Sequence, residues 1–359
     1  MSQTVSTPPA LETSPLAQLT ICKAREFFRE PEALFWVFIF PLVLAMALGL
    51  AFRDKAPDRI PVGVVAAPGP AGVARAAQAL AALRQSPYLR PRLLPEAEGR
   101  EALRTGKVSL LVEAGGPLLF RFDLTRPDSR IAHLEANEAL QRAAGRRDVV
   151  PVKVEHVTEK GSRYIDFLIP GLLGMNLMGT GIWSLAFSIT TARNRRVLKR
   201  LIATPMRRSH YLLSQILGRL IFLVPETVIL VVFGWLAFGV GVRGSLLLLA
   251  AACLVAAMAF CGIGLLVASR VNTIEGASGL ANLVMVPMWL LSGVFFSSER
   301  FPATVQPLIN ALPLTALNQV LRGVMTEART LAQVAPQLGI VAAWGLASFA
   351  VALKIFRWK

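Results

Sequence analysis

Six apolar stretches, each close to the length needed to cross a lipid bilayer, constrain the fold of this chain most strongly. They cover residues 33–52, 165–191, 211–238, 246–269, 277–297 and 333–353. A helix needs about 20 predominantly apolar residues to span the hydrocarbon core. With 54% hydrophobic residues and a mean hydropathy of +0.54, the chain is also too apolar for an ordinary soluble domain. The sequence therefore predicts a polytopic α-helical membrane protein with six transmembrane helices.

Basic residues beside these stretches predict the orientation of the chain. Lys and Arg near span ends are retained on the cytoplasmic side, whereas long loops cross largely regardless of charge. They precede the first stretch and follow the second, fourth and sixth, at Lys23, Arg25, Arg29, the segment 193–208, Arg270, Lys354, Arg357 and Lys359. All of these positions fall on one side of the membrane. Both termini are therefore predicted to be cytoplasmic, and residues 53–163 to form an extracytoplasmic domain.

The segment before the first span divides into two parts. Residues 1–14 are rich in Ser, Thr and Pro and too polar to order themselves, which predicts a disordered tail. Residues 15–32 carry apolar side chains at helical spacing, which predicts an amphipathic helix in the membrane interface. Its apolar side, interrupted by Lys23, holds Leu16, Leu19, Ile21, Ala24, Phe27 and Phe28. The following apolar run is too long for a signal-peptide core and lacks a small-residue cleavage site, so no cleavable signal is expected.

The long polar segment between the first two spans alternates two kinds of pattern. Runs rich in β-branched residues predict strands at 59–67, 108–114, 117–124 and 149–157. Runs rich in Ala, Leu, Glu and Arg predict helices at 71–84, 96–105 and 129–144. A segment of this length is within the usual size of a domain. We therefore expect residues 53–163 to form a small α/β domain inserted between two spans.

Motifs for catalysis or cofactor binding are missing from the sequence. The nearest approach to a phosphate-binding loop has Gly106 and Lys107, but Glu101 replaces its first glycine and Val108 its hydroxyl residue. His133, His156 and His210 are isolated from one another and from cysteines, which disfavours a metal site. Cys22, Cys253 and Cys261 are read as packing or interfacial thiols. The chain is therefore expected to be a non-catalytic protein without a cofactor.

A strongly basic stretch, "RNRRVLKRLIATPMRRSH" at 193–210, separates the second and third spans. It has seven Lys and Arg residues and no acid, so nucleic acid, anionic lipid or a second protein could be its partner. Nucleic acid is disfavoured, because the net charge of +16 is dispersed over both membrane sides and the stretch lacks interleaved aromatic residues. Retention of positive charge on the cytoplasmic side is the simplest alternative.

Few ionisable residues are predicted to lie within the spans. Asp166 begins the second span, whereas Arg219 and Glu226 lie inside the third, seven residues and about two turns apart on one face. Charges at such depth usually face protein or a wet cavity and often mark a transport pathway. Two readings remain open: an interior pair that orients the third helix, or part of a pathway.

Several motifs in fixed order resemble the type-2 ABC exporter permeases, in the branch that carries an external domain after the first helix. These are "KAREFFREPEALFWVFIFPLVLAMALG" (23–49), "DFLIPGLLGMNLMGTGIWSLAFSIT" (166–190), "LKRLIATPMRRSHYLLSQILGRL" (198–220), "GIGLLVASRVNTIEGASGLANLVMVPMWLLSGVFF" (262–296) and "FPATVQPLINALPLTALNQVLRGVM" (301–325). The resemblance implies six helices per subunit, a second permease subunit and a separate cytoplasmic ATP-binding subunit. It also implies the inner membrane of a bacterium as the location.

This resemblance gives the basic stretch a role as a coupling helix, 193–208, that docks on the ATPase. The expected docking residues are Asn194, Val197, Leu198, Lys199, Arg200, Leu201 and Ile202. A break at Thr204-Pro205 limits the helix, because Pro disfavours helical conformation in the residue before it. Family members commonly have Glu, a basic residue, Gly and Thr where this chain has Asn194 to Val197. The missing Glu suggests a heterodimer in which the other permease keeps it.

The remaining expectations concern what is moved and by which route. An amphiphilic or lipid-like substrate or drug would suit the apolar spans, and a periplasmic adaptor could meet the external domain. Pro302, Pro307 and Pro313 divide the apolar segment 298–332, which predicts short re-entrant helices that dip into the outer leaflet and cap the exit path. The alternative function is a secondary transporter driven by an ion gradient, which would predict matched broken helices in two halves or more intramembrane acids.

Overall fold

The computed structural model of the chain describes residues 15–52, 59–115, 117–147, 163–202 and 208–356. The chain divides into two compact units, a helical unit and a smaller unit, Asp54–Val157, inserted into it. The predicted disordered tail 1–14 and the predicted strand 149–157 lie outside the described residues.

The helical unit contains six helices among the described residues that are long and apolar enough to cross a membrane. They are Pro31–Ala51, Tyr164–Asn194, His210–Phe238, Leu246–Ala268, Ile274–Leu291 and Leu331–Ile355. The predicted class of a polytopic helical protein is confirmed. In chain order the helices of this unit are α1 (Pro15–Phe28), α2 (Pro31–Leu34), α3 (Phe40–Ala51), α7 (Tyr164–Asn194), α8 (Val197–Ile202), α9 (Arg208–Phe238), α10 (Leu246–Ala268), α11 (Ile274–Leu291), α12 (Gln306–Ala311), α13 (Pro313–Met325) and α14 (Leu331–Ile355).

The first span is not one regular α-helix. A π-helical segment, Phe35–Ile39, joins α2 to α3, and Pro41 is the second residue of α3. Proline has no amide hydrogen, so it cannot bond the carbonyl four residues earlier, which belongs to Val37. The side-chain amide of Asn176 in α7 donates to this Val37 carbonyl at 3.0 Å instead. A donor from the second span thus replaces the missing backbone bond, as burial away from water requires.

The amphipathic helix α1 packs against the third span. The rings of Phe27 and Phe222 lie 4.0 Å apart between centroids. Lys23, which interrupts the predicted apolar side, is partly buried and donates to Ser188 at 3.0 Å and to Glu26 at 2.6 Å. The helix ends at Phe28, earlier than residue 32, because Pro31 begins the first span.

The second span, α7, is the central helix of the unit, and it packs against α3, α9, α10, α11 and α13. Its closest approach is to α10, where a Cβ on Gly264 would stand 2.8 Å from the carbonyl oxygen of Ile182. On another side of α10, a Cβ on Gly262 would stand 2.8 Å from the carbonyl oxygen of Gly345 in α14. Small residues at such contacts let membrane helices approach closely and gain van der Waals contact.

The fifth span ends at Leu291, short of the predicted residue 297, and Gly293 then takes a positive φ of 71°. Residues 292–330 form a connector that contains a short 3₁₀-helix, Ser298–Arg300, followed by α12 and α13. Helix α13 is almost entirely buried, from Pro313 to Val324, apart from partly exposed positions such as Arg322. Asn318 donates to the carbonyl of Ser292 at 2.9 Å, and Arg322 donates to that of Gly293, so α13 caps the end of α11.

The inserted unit is a small α/β fold. Its helices are α4 (Pro70–Arg84), α5 (Glu96–Arg104) and α6 (Pro127–Ala143), and its strands are β1 (Ile60–Ala66), β2 (Leu89–Leu94), β3 (Leu110–Ala114) and β4 (Leu118–Phe122). The sheet order is β2-β1-β3-β4; β1 pairs in parallel with β2 and β3, and β3 pairs antiparallel with β4. Helices α4 and α6 share a core with Val62, Val64, Leu110 and Val112 on one face. Helix α5 packs on the other face, where Gly99 lies against Val65 and Leu111.

Strand β2 was not predicted from the sequence. Its run, "LRPRLL", contains Pro91 between two arginines, and such a composition is typical of a loop. Among the described strands it lies at the edge of the sheet and pairs with β1, from Ile60 opposite Leu89 to Val65 opposite Leu94. An edge position tolerates proline, because one side of the strand needs no ladder hydrogen bonds.

Candidate functional site

The end of the helical unit formed by residues 193–202, 268–274 and 352–356 is here called the basic end. The second span reaches this end at Asn194, and a turn in which Arg196 has a positive φ of 56° leads into α8. The predicted coupling helix 193–208 is thus divided, since its first residues belong to α7. Residues 203–207, including the predicted break at Thr204-Pro205, lie outside the described residues.

The predicted docking residues fall into three groups. Asn194, Val197 and Arg200 are exposed, and Val197 keeps 36% of its accessible surface. Leu198 is buried at 1% exposure. The side chains of Lys199, Leu201 and Ile202 lie outside what the structure describes.

Leu198 anchors α8 inside the chain. It belongs to a cluster with residues of four spans: Leu185, Ile189 and Ala192 of α7, Tyr211 and Leu212 of α9, Cys261, Leu265 and Ala268 of α10, and Ala352 of α14. Leu198 was predicted to be a docking residue, but the structure buries it among the spans. A leucine offered to a partner would be exposed before docking, whereas this one fixes α8 to the spans.

Arg193 also points inward, unlike the arginines that follow it. Its guanidinium donates to the carbonyls of Ala268 at 3.0 Å and Ser269 at 3.3 Å, and to that of Val271. These carbonyls lie at the C-terminal end of α10, where the last backbone acceptors lack helical partners and the helix dipole favours a cation. The guanidinium also lies 5.5 Å from the ring centroid of Phe356. Arg193 is thus a clamp between the second and fourth spans.

The intramembrane residues Arg219 and Glu226 form an ion pair. Nη2 of Arg219 lies 2.5 Å from Oε2 of Glu226, and their side chains are only 4% and 0% exposed. The hydroxyl of Thr180 in α7 accepts a hydrogen bond from Arg219 and donates to Oε1 of Glu226 at 3.0 Å. The pair is therefore enclosed by protein and held to the second span. The opposite charges of Arg219 and Glu226 neutralise each other, which lowers the free-energy cost of burying them within the membrane.

The other predicted intramembrane acid, Asp166, lies in the first turn of α7. Arg163 pairs with it at 2.9 Å and also donates to the carbonyl of Phe238 at the end of α9 at 3.0 Å. Arg163 thus also caps a helix C-terminus, that of the third span. Among the residues that the structure describes, no group of three or more His, Cys, Asp or Glu side chains could hold a metal ion.

A family model described as ABC-2 family transporter protein matches residues 31–354. The chain belongs to this family. The match takes in all six candidate spans and the inserted unit of the permease. No curated protein matches the chain. The resemblance found in the sequence is thereby confirmed at the level of an ABC transporter permease, a multi-pass membrane protein.

Two polar residues of the permease were missed by sequence reasoning. Thr180 completes the ion pair in the third span, and Asn176 bonds the Val37 carbonyl freed by Pro41. A proline inside an apolar span predicts an unpaired carbonyl four residues before it, and Asn176 is a donor in the neighbouring span. That combination could have indicated the contact, although only the packed structure shows that the two spans meet there.

Proposed function

We propose that this permease is the membrane subunit of an ATP-driven exporter in a bacterial inner membrane, with both termini in the cytoplasm. ATP is hydrolysed on a separate ATP-binding subunit, which docks on the basic end through the exposed part of Asn194 to Ile202. A second permease subunit completes the transporter. The anchoring of α8 by Leu198 carries this proposal.

Packed side chains connect helix α8 to the spans. Helix α8 shares a buried cluster with four spans through Leu198, and Arg193 ties the preceding turn to the end of α10. A displacement applied to the exposed face of α8 is therefore passed to the spans through packed side chains, which have low compressibility. A loop that served topology alone would need only its positive charges.

The exposed face has a definite chemistry. Asn194, Arg195, Arg196, Val197 and Arg200 are exposed. This surface suits a partner with acidic groups around a small apolar contact. Asn194, in place of the Glu common in the family, would weaken any polar contact that needs a carboxylate there. A heterodimer in which the other permease supplies that carboxylate fits this substitution.

An amphiphilic or lipid-like substrate suits the membrane part of the protein. The ion pair of Arg219 and Glu226 is enclosed by protein, which supports a route that does not run past these charges. The spans instead present large apolar side chains at their surfaces, among them Val224, Trp235 and Leu283. A substrate that moves laterally from the bilayer would meet such surfaces. The inserted unit would lie outside the cytoplasm, where a periplasmic adaptor could reach it.

The sealed pair also weighs against a secondary transporter driven by an ion gradient. A proton or cation relay needs an acid that reaches water during the cycle. Glu226 has 0% of its side chain exposed and is engaged by both Arg219 and Thr180. The ATP-driven reading needs no such access.

The test replaces an exposed residue of α8 and leaves Leu198, which anchors the helix, unchanged. Val197→Asp should preserve the thermal stability of the purified permease, because Val197 is partly exposed, but should reduce copurification of the ATPase about tenfold or more. A charge placed at the centre of an apolar contact is costly. Val73→Asp is the matched control, since Val73 is 57% exposed on α4 of the inserted unit.

The readouts are the amount of ATPase retained on the tagged permease and the efflux of amphiphilic dyes from membrane vesicles. If Val197→Asp keeps both at the level of Val73→Asp, the exposed face of α8 is not the docking surface and the proposal fails. If Val197→Asp retains the ATPase but stops efflux, docking lies elsewhere and α8 acts only in coupling.

A further inference from the structure

The inserted unit has a basic hollow at the amino-terminal edge of its sheet. A cavity of about 670 Å³ is lined there by Arg59, Pro61, Arg90, Arg92 and Lys107. We call these five residues the basic hollow. Ligand pockets in proteins commonly have volumes of about 300 to 1,000 Å³. The hollow therefore has the size of a site for a small molecule or a lipid headgroup.

Strand register explains how the arginines come together. Arg90 pairs with Pro61 and Arg92 with Gly63 in the parallel ladder of β1 and β2. Side chains two residues apart on a strand point to the same face, so Arg90 and Arg92 stand side by side, about 6.6 Å apart along the strand. Beside them on β1 are the short ring of Pro61 and Gly63, and the side chains of Leu111 and Leu94 pack over Gly63.

The loop that follows α5 borders the basic hollow. Within α5, Gly99 lies against Val65 and Leu111 on the same face of the sheet. Lys107 follows α5 and returns the chain to the amino-terminal edge of the sheet, and the guanidinium of Arg126 lies 3.0 Å from the Cβ position of Gly106 next to it.

The charges of the basic hollow are only partly balanced within the described part of the chain, since Glu101 attracts Lys107 at longer range. Within the described residues, no carboxylate forms an ion pair with Arg59, Arg90, Arg92 or Lys107. Glu101, on α5, is held by Arg104 at 2.7 Å instead. A neighbouring cavity of about 520 Å³ shares Arg59 and Pro61 and is lined by the acids Asp128 and Glu135, so Arg59 lies between the basic hollow and these acids. Like charges placed this close repel one another unless an anion joins them.

We propose that the basic hollow binds a phosphate-bearing ligand, either the headgroup of an anionic lipid or a soluble phosphorylated molecule. Guanidinium groups bind phosphate with two parallel hydrogen bonds, and adjacent arginines can hold two phosphate oxygens at once. A phosphate monoester carries up to two negative charges, which matches several cations better than a single carboxylate would. This inference stands apart from the docking of the ATPase, since it concerns the inserted unit alone.

Binding by the purified full-length permease in detergent tests the inference with two probes. Inorganic pyrophosphate represents a soluble phosphate, and dihexanoyl phosphatidic acid represents a lipid headgroup. Isothermal titration should show saturable binding of at least one probe, weakened by added salt. The double variant Arg90→Gln, Arg92→Gln should bind about tenfold more weakly or worse, because it removes two guanidinium groups that would form charged hydrogen bonds with the phosphate.

The matched control is Arg84→Gln, Arg130→Gln, which removes the same charge from exposed positions on α4 and α6. It should bind within about twofold of the unchanged protein. The single variant Lys107→Gln, on a loop, provides a second measurement that does not alter β2 and should weaken binding by a smaller factor. Tighter binding of phosphatidic acid than of pyrophosphate would assign the ligand to lipid, and the reverse order to a soluble phosphate. Absence of saturable binding by both probes, or equal loss in control and test variants, would overturn the inference.

Discussion

At each of the two ends of the helical unit an arginine caps the C-terminus of a span, but the surroundings of the two arginines differ. At the basic end Arg193 caps α10, and at the connector Arg322 caps α11. Arg322 also donates to the carbonyl of Phe167 at 3.3 Å, and its guanidinium lies 3.5 Å from the ring centroid of Phe167. In both cases a guanidinium satisfies carbonyls that the helix leaves without partners. Each arginine thereby ties the central helix α7 to the end of another span.

The surroundings of the two clamps differ. At the connector, α13 is buried apart from the partly exposed Gln319 and Arg322, so the element belongs to the core. At the basic end, the turn after Arg193 exposes Arg195, Arg196 and Arg200. Arginines in this unit thus have two roles. Those that face helix ends hold the spans together, whereas those that face outward can contact a partner or lipid.

The largest expected effect concerns a buried inward-facing arginine within the third span, Arg219, which pairs with the carboxylate of Glu226. Glu226→Gln should destabilise the protein by about 3–5 kcal/mol, because it leaves a buried positive charge without its counter-ion. Replacing both Arg219 and Glu226 with Leu should restore much of that stability. The measurement is the free energy of unfolding in detergent, together with the yield of monodisperse protein.

Transport by the double leucine variant decides between the two readings of the pair. A variant that folds well and transports normally identifies a purely structural pair. One that folds well and transports nothing shows that Arg219 and Glu226 take part in the pathway, and the general rule for inward-facing arginines then fails at this position.

The next largest expected effect concerns Arg193 and Arg322, the capping arginines at the two ends of the helical unit. Arg193→Leu and Arg322→Leu should each lower the free energy of unfolding by about 2–3 kcal/mol, because each leaves carbonyls without a donor. Only Arg193→Leu should also reduce ATPase copurification, since it loosens the turn that leads into α8. Arg300→Gln, an exposed change on the connector, is the control and should alter neither quantity measurably. Equal loss of ATPase from both leucine variants would remove the functional difference between the ends.

The six spans and most of the inserted unit could be predicted because their signals are local. Bilayer thickness fixes the length of an apolar run, and the alternation of strand and helix patterns marks an α/β unit. Strand β2 was missed because its stability comes from pairing with β1 and not from its own residues. Its Pro91 and flanking arginines have low strand propensity.

The clamps could not be predicted because they depend on contacts distant in sequence. Arg193 meets Ala268, which lies 75 positions later, and nothing in "ARNRR" separates this arginine from Arg195 and Arg196. The same holds for Leu198, which sits among apolar neighbours in sequence but is buried by residues of four spans. The sequence predicted a basic coupling helix, whereas the packing of the spans determines which of its residues point inward.

The smallest expected effect concerns one outward-facing arginine at the basic end. Arg200→Gln should leave the thermal stability unchanged and weaken retention of the ATPase by about twofold or less, because exposed ion pairs contribute little individually. The loss should disappear when salt is added, since exposed charges are then screened in both proteins. Retention is measured on the tagged permease over a series of salt concentrations, with Arg84→Gln on α4 as the control. A loss from Arg200→Gln as large as that from Val197→Asp, and insensitive to salt, would show that Arg200 is buried in the docked complex. The distinction between inward clamps and weak outward charges would then need to be redrawn at that position.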